Sequence, residues 1–275
     1  MDERPLRQDQ IARYLEALEL SQQEPSLPAL TRLVRAHLEH VPFENVSKLY
    51  YAERFGLKEL PGLDRFLEGL HLYHFGGTCY ANNYYLNRLR LSLGYDVRLC
   101  GADMSNPDVH IVNIVQLDGK EYLIDGGYAA PFLRPLLRDA AQDQVIELGR
   151  DRYQLRVQDE HGNSRMELYR DGLFKHAYTA KPAPRRIEEF ASVIASSFRP
   201  VSTFMNALLI ARFSGESSMV LHNQSIIRSH GRESHIRVLA DRSAMLDAVE
   251  EHFLIPRAIA EEATVSLREL RDAWG

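Results

Sequence analysis

The sequence predicts an α+β fold in three consecutive parts, and three observations carry that expectation. Apolar residues recur at helical spacing up to residue 93, short alternating runs with turn residues fill the stretch from 95 to about 180, and the remainder mixes both patterns. In the first part, Ile11, Tyr14, Leu15 and Leu18 form one helical stripe. Leu30, Leu33, Val34 and Leu38 form a second, with Pro25 and Pro28 marking the connection. Tyr84, Leu86, Leu89, Arg90 and Leu93 continue a helix that begins near Cys79 and that Gly94 ends. The second part is punctuated by Asp118-Gly119, His161-Gly162-Asn163 and Asp171-Gly172, which argues for an antiparallel barrel or sheet. Lys181-Pro182-Ala183-Pro184 is the clearest candidate boundary. Beyond it, Ile187 to Ala195 reads as a helix, Ser218 to Leu239 as strands turning near Gly231, and Ser243–Phe253 and Arg257–Trp274 as closing helices. The expected domains are residues 1–93, 94–184 and 185–275.

Composition excludes several function classes. The chain has 275 residues, enough for a sizeable core in one large domain or two to three packed subdomains. With a net charge of −5 and no sustained basic stripe, no nucleic-acid partner is expected. No apolar run approaches the roughly 18 residues of a membrane span, and Met1-Asp2-Glu3-Arg4-Pro5 lacks a signal-peptide core. Cys79 and Cys100 are the only cysteines, so no disulfide framework is expected and the cytoplasm is the natural setting. Cys100 closes a strand-like run and reads as structural.

Cys79 stands out because of its surroundings. In Phe75-Gly76-Gly77-Thr78-Cys79-Tyr80-Ala81-Asn82-Asn83, a glycine pair lets the backbone turn and leaves room for a ligand. The N–H groups of a helix start favour a thiolate. A histidine, His110, follows 31 residues later, and Asp125 lies 15 residues beyond that.

A hairpin brings the latter two together. Val109 to Leu117 and Tyr122-Leu123-Ile124 are rich in strand-forming residues, and Asp118-Gly119 between them is a strong two-residue turn signal. Pairing Leu117 with Lys120 sets Val112 opposite Asp125 and His110 opposite Gly127, so His110 and Asp125 are diagonal neighbours on one face. Backbones roughly 7 Å apart on such a diagonal allow an imidazole–carboxylate hydrogen bond. The aspartate then fixes the ring, and the other ring nitrogen takes the thiol proton. The plainer alternative is that the cysteine is a small buried hydrophobe and the histidine bonds locally. Convergence of Cys79 on His110 does not follow from the hairpin alone.

These segments resemble the arylamine N-acetyltransferases, whose signature is an Arg-Gly-Gly-x-Cys segment, a later histidine in an apolar strand, and an Asp-Val-Gly-Phe-Gly-like segment. The similarity extends to Arg13-Tyr14-Leu15, to His40-Val41-Pro42-Phe43-Glu44-Asn45-Val46 and to Phe198-Arg199-Pro200-Val201-Ser202-Thr203-Phe204. The resemblance implies a helical bundle, a central antiparallel β-barrel and a C-terminal α/β lid around a Cys-His-Asp core. It makes Cys79 the nucleophile, His110 the general base and Asp125 the orienting acid, with Asn83 part of the pattern and Phe43 and Tyr128 lining the substrate pocket. It implies acetyl-CoA as acyl donor, small aromatic amines or hydrazines as acceptors, ping-pong kinetics and no permanently bound cofactor. Ser105, Asn106 and Pro107, ahead of His110, are the candidates for lining the CoA entrance.

The departures define the rival readings. Phe75 replaces the family arginine, so that either another cation compensates Glu44 or Glu44 is more exposed; Ala81, Gly126 and Ala129 also differ from the pattern. A cysteine hydrolase, an amide synthase closing a tethered acyl chain, and a non-catalytic binding protein are the alternatives. His71 and His74 with Cys79 are too loosely spaced for a zinc site, and no metal is expected.

Overall fold

The computed structural model describes residues 5–267, 270 and 271. Its first part comprises helices α1 (Gln8–Ala17), α2 (Leu27–His40), α3 (Val46–Phe55), α4 (Leu63–Tyr73) and α5 (Cys79–Ser92), with a two-residue strand, β1 (Phe43–Glu44), after α2. The Ser26 hydroxyl accepts from the Ala29 N–H at 3.3 Å and caps α2, whose first turn holds Pro28. The expected stripes face inward: Ile11, Tyr14 and Leu15 of α1 and Leu30, Leu33, Val34 and Leu38 of α2 are buried. β1 had no sequence signal, since two residues carry no periodicity. It exists because a distant strand pairs with it.

Eight strands follow: β2 (Asp96–Asp103), β3 (His110–Leu117), β4 (Lys120–Ile124), β5 (Leu136–Leu137), β6 (Gln144–Leu148), β7 (Asp151–Leu155), β8 (Ser164–Arg170) and β9 (Leu173–Pro184). They form one antiparallel sheet in the order β5-β4-β3-β2-β9-β8-β7-β6 that curls into a nearly closed barrel. A bond of 2.6 Å from Gln144 Nε2 on β6 to the Leu137 carbonyl on β5 links the two edges. Asp118 and Gly119 both take positive φ, 51° and 74°, as a tight hairpin turn requires. β9 runs through Lys181–Pro184 and ends there, with Pro184 opposite Cys100. Proline lacks the N–H that a ladder uses, and the register of the pair shifts between Cys100 and Ala102 to accommodate it. Cys100 is buried in mid-strand, and burial pushes its thiol up to about 11.

The third part contains α6 (Ala191–Ser196), the strands β10 (Leu209–Ser214), β11 (Ser217–His222), β12 (Ser225–His230) and β13 (Glu233–Val238), and the helices α7 (Arg242–Phe253) and α8 (Arg257–Ala263). Its sheet has the order β1-β10-β11-β12-β13, with Phe43 opposite Ala211. The chain's opening part thus supplies the edge strand of its closing sheet. The helix expected over Arg257–Trp274 stops at Ala263, and residues 268, 269 and 272–275 lie outside the described residues.

Two apolar clusters hold these parts together. One joins α1, α2, α4 and α5 to the barrel, and the other packs α3 and Phe75 against β10, β11, β12, α7 and α8. Among the described residues, no helix is long and apolar enough to cross a membrane.

Candidate active site

Cys79 is the first residue of α5, where the N–H groups of the opening turn have no intrahelical acceptor. Two glycines make that position possible. A Cβ on Gly76 would sit 1.9 Å from the Pro42 carbonyl oxygen, and one on Gly127 would sit 2.6 Å from Cys79 Cα. The loop after β4 therefore lies directly against the helix tip. The sulfur is 3.8 Å from the Val109 carbonyl oxygen, one residue before His110.

The hairpin has the expected register, with Leu117 opposite Lys120 and Asn113 opposite Ile124. His110 Nε2 and Asp125 Oδ2 are 2.8 Å apart, and both side chains are almost completely buried. That bond occupies Nε2 and leaves Nδ1 for the sulfur. Burial drags the His110 imidazole toward neutrality, but the Asp125 charge and hydrogen bond, with a further contribution from Cys79, raise it to about 10. Burial likewise opposes the Asp125 charge, yet His110, Asn83 and the Gly127 N–H hold the carboxylate below its ordinary range. At neutral pH the pair is an imidazolium against a carboxylate.

Behind this pair stands a group of buried asparagines. Asn83 Nδ2 donates to Asp125 Oδ1 at 2.8 Å and to the Ile111 carbonyl at 2.7 Å, while its Oδ1 accepts from the Gly126 N–H at 2.9 Å. Asn113 Nδ2 donates to the Asn83 carbonyl at 3.0 Å, and Asn87 Nδ2 to Asn113 Oδ1 at 2.8 Å. Asn82 ties the glycine turn to the helix through the Pro42 and Gly77 carbonyls, at 3.2 and 3.0 Å. The sequence does not single out Asn113 and Asn87. The signal available was a lone amide in a β-branched run facing two amides one helical turn apart.

Neither expectation for Glu44 holds. It is fully buried, not more exposed, and no cation pairs with it among the described residues; its carboxylate accepts from the Ser47 N–H at 2.7 Å and the Gly76 N–H at 3.0 Å. Burial outweighs these bonds and raises its pKa. Phe75 makes apolar contacts, its ring 5.3 to 5.8 Å from those of Tyr73, Tyr50 and Tyr51. A different cation serves the sulfur's surroundings. Lys48 of α3 donates to Ser197 Oγ at 2.6 Å and lies 4.2 Å from the Phe198 ring. Burial lowers its ammonium to about 8, against the pull of Cys79's charge.

The thiol and imidazole open on a cleft of about 670 Å³ between barrel and closing sheet, within the range of small-molecule sites. Phe43 and Tyr128 both line it, as do Ser105 and Asn106; Pro107 does not. Phe43 packs edge-on against Phe204 at 5.6 Å, and Tyr128 stacks on Phe132 at 5.9 Å. Val193, Ser197, Thr203, His176 and Tyr153 also line it and were not anticipated, because they converge only through the packing of separate parts.

A cysteine at a helix tip, beside a histidine held by a buried carboxylate and facing an open cleft, is an arrangement suited to covalent acyl transfer. The sequence profile of the N-acetyltransferase family matches residues 26–260, and the chain belongs to the arylamine N-acetyltransferase family, a family of acyltransferases. The chain is 26% identical over 246 residues to an arylamine N-acetyltransferase of Mycolicibacterium smegmatis, covering 83% of this chain and 85% of that one. It is 31% identical over 120 residues to the pineal gland isozyme NAT-3 of Gallus gallus, covering 41% of this chain and 40% of the relative. That alignment thus spans only about two fifths of the chicken protein's length. The Mycobacterium marinum arylamine N-acetyltransferase, solved in complex with CoA, has the same fold, with a TM-score of 0.77 at 21% identity over 94% of this chain and 99% of that one.

Proposed function

We propose that the protein is an acetyl-CoA-dependent N-acetyltransferase that carries the acetyl group on Cys79 to an arylamine or hydrazine. The observation that carries this reading is the buried Asp125–His110 pair, 2.8 Å across, beside a helix-tip thiol at the floor of the cleft. His110 starts as the imidazolium, already holding on Nδ1 the proton taken from the thiol, and the sulfur attacks the thioester carbonyl. The N–H groups at the start of α5 face the oxygen as it gains charge, a contribution worth about 3 kcal/mol per donor. CoA departs as its thiol with the proton from His110. The amine then binds against Phe43 and Tyr128, and its nitrogen attacks the Cys79 thioester. His110, left neutral by the departure of CoA, takes the amine proton and keeps it as the sulfur leaves, which restores the starting imidazolium. Ser105 and Asn106, which line the cleft, would border the approach of the donor, and the M. marinum relative was solved with CoA bound.

The scheme predicts parallel lines when initial rates are plotted reciprocally at several fixed acetyl-CoA concentrations. Intersecting lines, or equal turnover without CoA, would exclude it. The cleft of about 670 Å³ must admit the acyl end of CoA as well as the amine, and the same room would take the substrate of a second reading: closure of a long tethered acyl chain onto its own amine. An enzyme of that kind turns over acetyl-CoA poorly and long acyl thioesters well.

A further inference from the structure

The acyl-transfer scheme uses the ring of Tyr128 but leaves its hydroxyl, and the histidine bonded to it, without a role. Tyr128 sets its ring 5.7 Å from that of His110 and its hydroxyl 2.8 Å from Nδ1 of His176, on β9. Both rings line the cleft, together with the apolar walls Leu148, Tyr153 and Leu168.

The proton arrangement follows from chemistry. Burial, followed by the charge of Arg170, lowers the His176 imidazole and keeps it neutral, while burial and the charges of Asp125 and Asp151 keep the Tyr128 phenol protonated. A neutral imidazole has one N–H and one lone pair. A phenol is the better donor of the two, so the Tyr128 hydroxyl donates to Nδ1 and the ring hydrogen resides on Nε2. Among the described residues, Nε2 has no hydrogen-bond partner. The charges nearby are already paired. Arg170 grips Asp151 through bonds of 2.6 and 2.8 Å, and Arg150 grips Asp171 through bonds of 2.9 and 3.1 Å. What this part of the cleft offers is a neutral N–H donor set among apolar walls.

Resting on the reading of the protein as an arylamine acetyltransferase, we propose that the Nε2–H of His176 forms a subsite selecting acceptor amines whose ring bears an uncharged hydrogen-bond acceptor, such as an alkoxy or acyl group, over their alkyl counterparts. Tyr128 is a positioning residue here, since its hydroxyl fixes which nitrogen of His176 carries the hydrogen. An alkyl substituent leaves the donor desolvated and unsatisfied, and that penalty is the source of the discrimination.

The test compares kcat/KM for 4-methoxyaniline and 4-ethylaniline, which are similar in size, in the wild type, His176→Phe, His176→Gln and Tyr128→Phe. Comparing the methoxy-to-ethyl ratio between enzymes cancels the intrinsic difference in amine nucleophilicity. His176→Phe should lower the ratio about tenfold, through KM, and His176→Gln, which keeps an N–H donor, should restore most of it. Tyr128→Phe should lower it by a smaller factor. Thermal melting verifies that each variant is folded. A ratio unmoved in folded His176→Phe overturns the subsite alone. Wild type that acetylates no aniline overturns the enzymatic reading and the subsite with it.

Discussion

Asn83 donates to Asp125 Oδ1 at 2.8 Å from one turn beyond Cys79 on the same helix. One rigid element therefore carries the thiol and also grips the carboxylate that orients the histidine. The relative placement of the first and third members of the triad is set by the rise of a single helical turn, about 5.4 Å, rather than by loop packing.

Replacing Asn83 by Ala should consequently damage both stability and rate. It leaves the Gly126 N–H and the Ile111 carbonyl without their buried partner and takes one bond from Asp125. Each such group costs about 1–3 kcal/mol. Urea melts should register the loss, and pre-steady-state acylation of Cys79 should slow. An Asn83→Ala protein with unaltered melt and acylation rate would show that the carboxylate is held elsewhere.

The pH dependence of stability carries the signature of the buried pair. The imidazole's pKa is raised, so its contribution is fully present below 6.5 and is lost as pH climbs through about 10. The carboxylate's pKa is lowered, so its contribution is present above 3.8 and disappears on acidification. The stability difference between wild type and Asp125→Asn should peak between these limits, at about 3–5 kcal/mol, and shrink toward both extremes. Chemical denaturation of the two proteins across pH checks it, and a flat difference would deny the ion pair.

Glu44 behaves in the opposite sense. Its raised pKa means that the folded protein keeps a proton which the unfolded chain releases, so this residue costs stability as pH rises above 4.5. Glu44→Gln removes that pH dependence but sets an amide NH2 against one of the two N–H groups, of Ser47 and Gly76, that the carboxyl accepts. Two facing donors should lower the neutral-pH stability by about 1–3 kcal/mol. A melt of Glu44→Gln equal to or above that of wild type at neutral pH would contradict this assignment.

Much of the site's geometry was legible because it is local. The turn at Asp118-Gly119 fixes register, and register fixes the diagonal of His110 and Asp125, so a few consecutive residues determine a contact. What escaped is non-local. β1 forms only because β10 lies beside it, and β10 itself, Leu209–Ser214, has no clean alternation since most of it is buried on both faces. The prolines that suggested a boundary at Lys181–Pro184 belong to the end of β9, because proline's meaning depends on its partner strand, here one with a register shift. Glu44 was misjudged for a similar reason: backbone N–H groups, invisible in composition, supply what a cation was expected to provide.

The most direct test of the central claim is intact-protein and peptide mass spectrometry after mixing the protein with acetyl-CoA in the absence of an acceptor. The account predicts a single acetyl group on Cys79, absent in Cys79→Ala and removed when an arylamine is added. Steady turnover of acetyl-CoA and amine with Cys79 unmodified at every time point would contradict it.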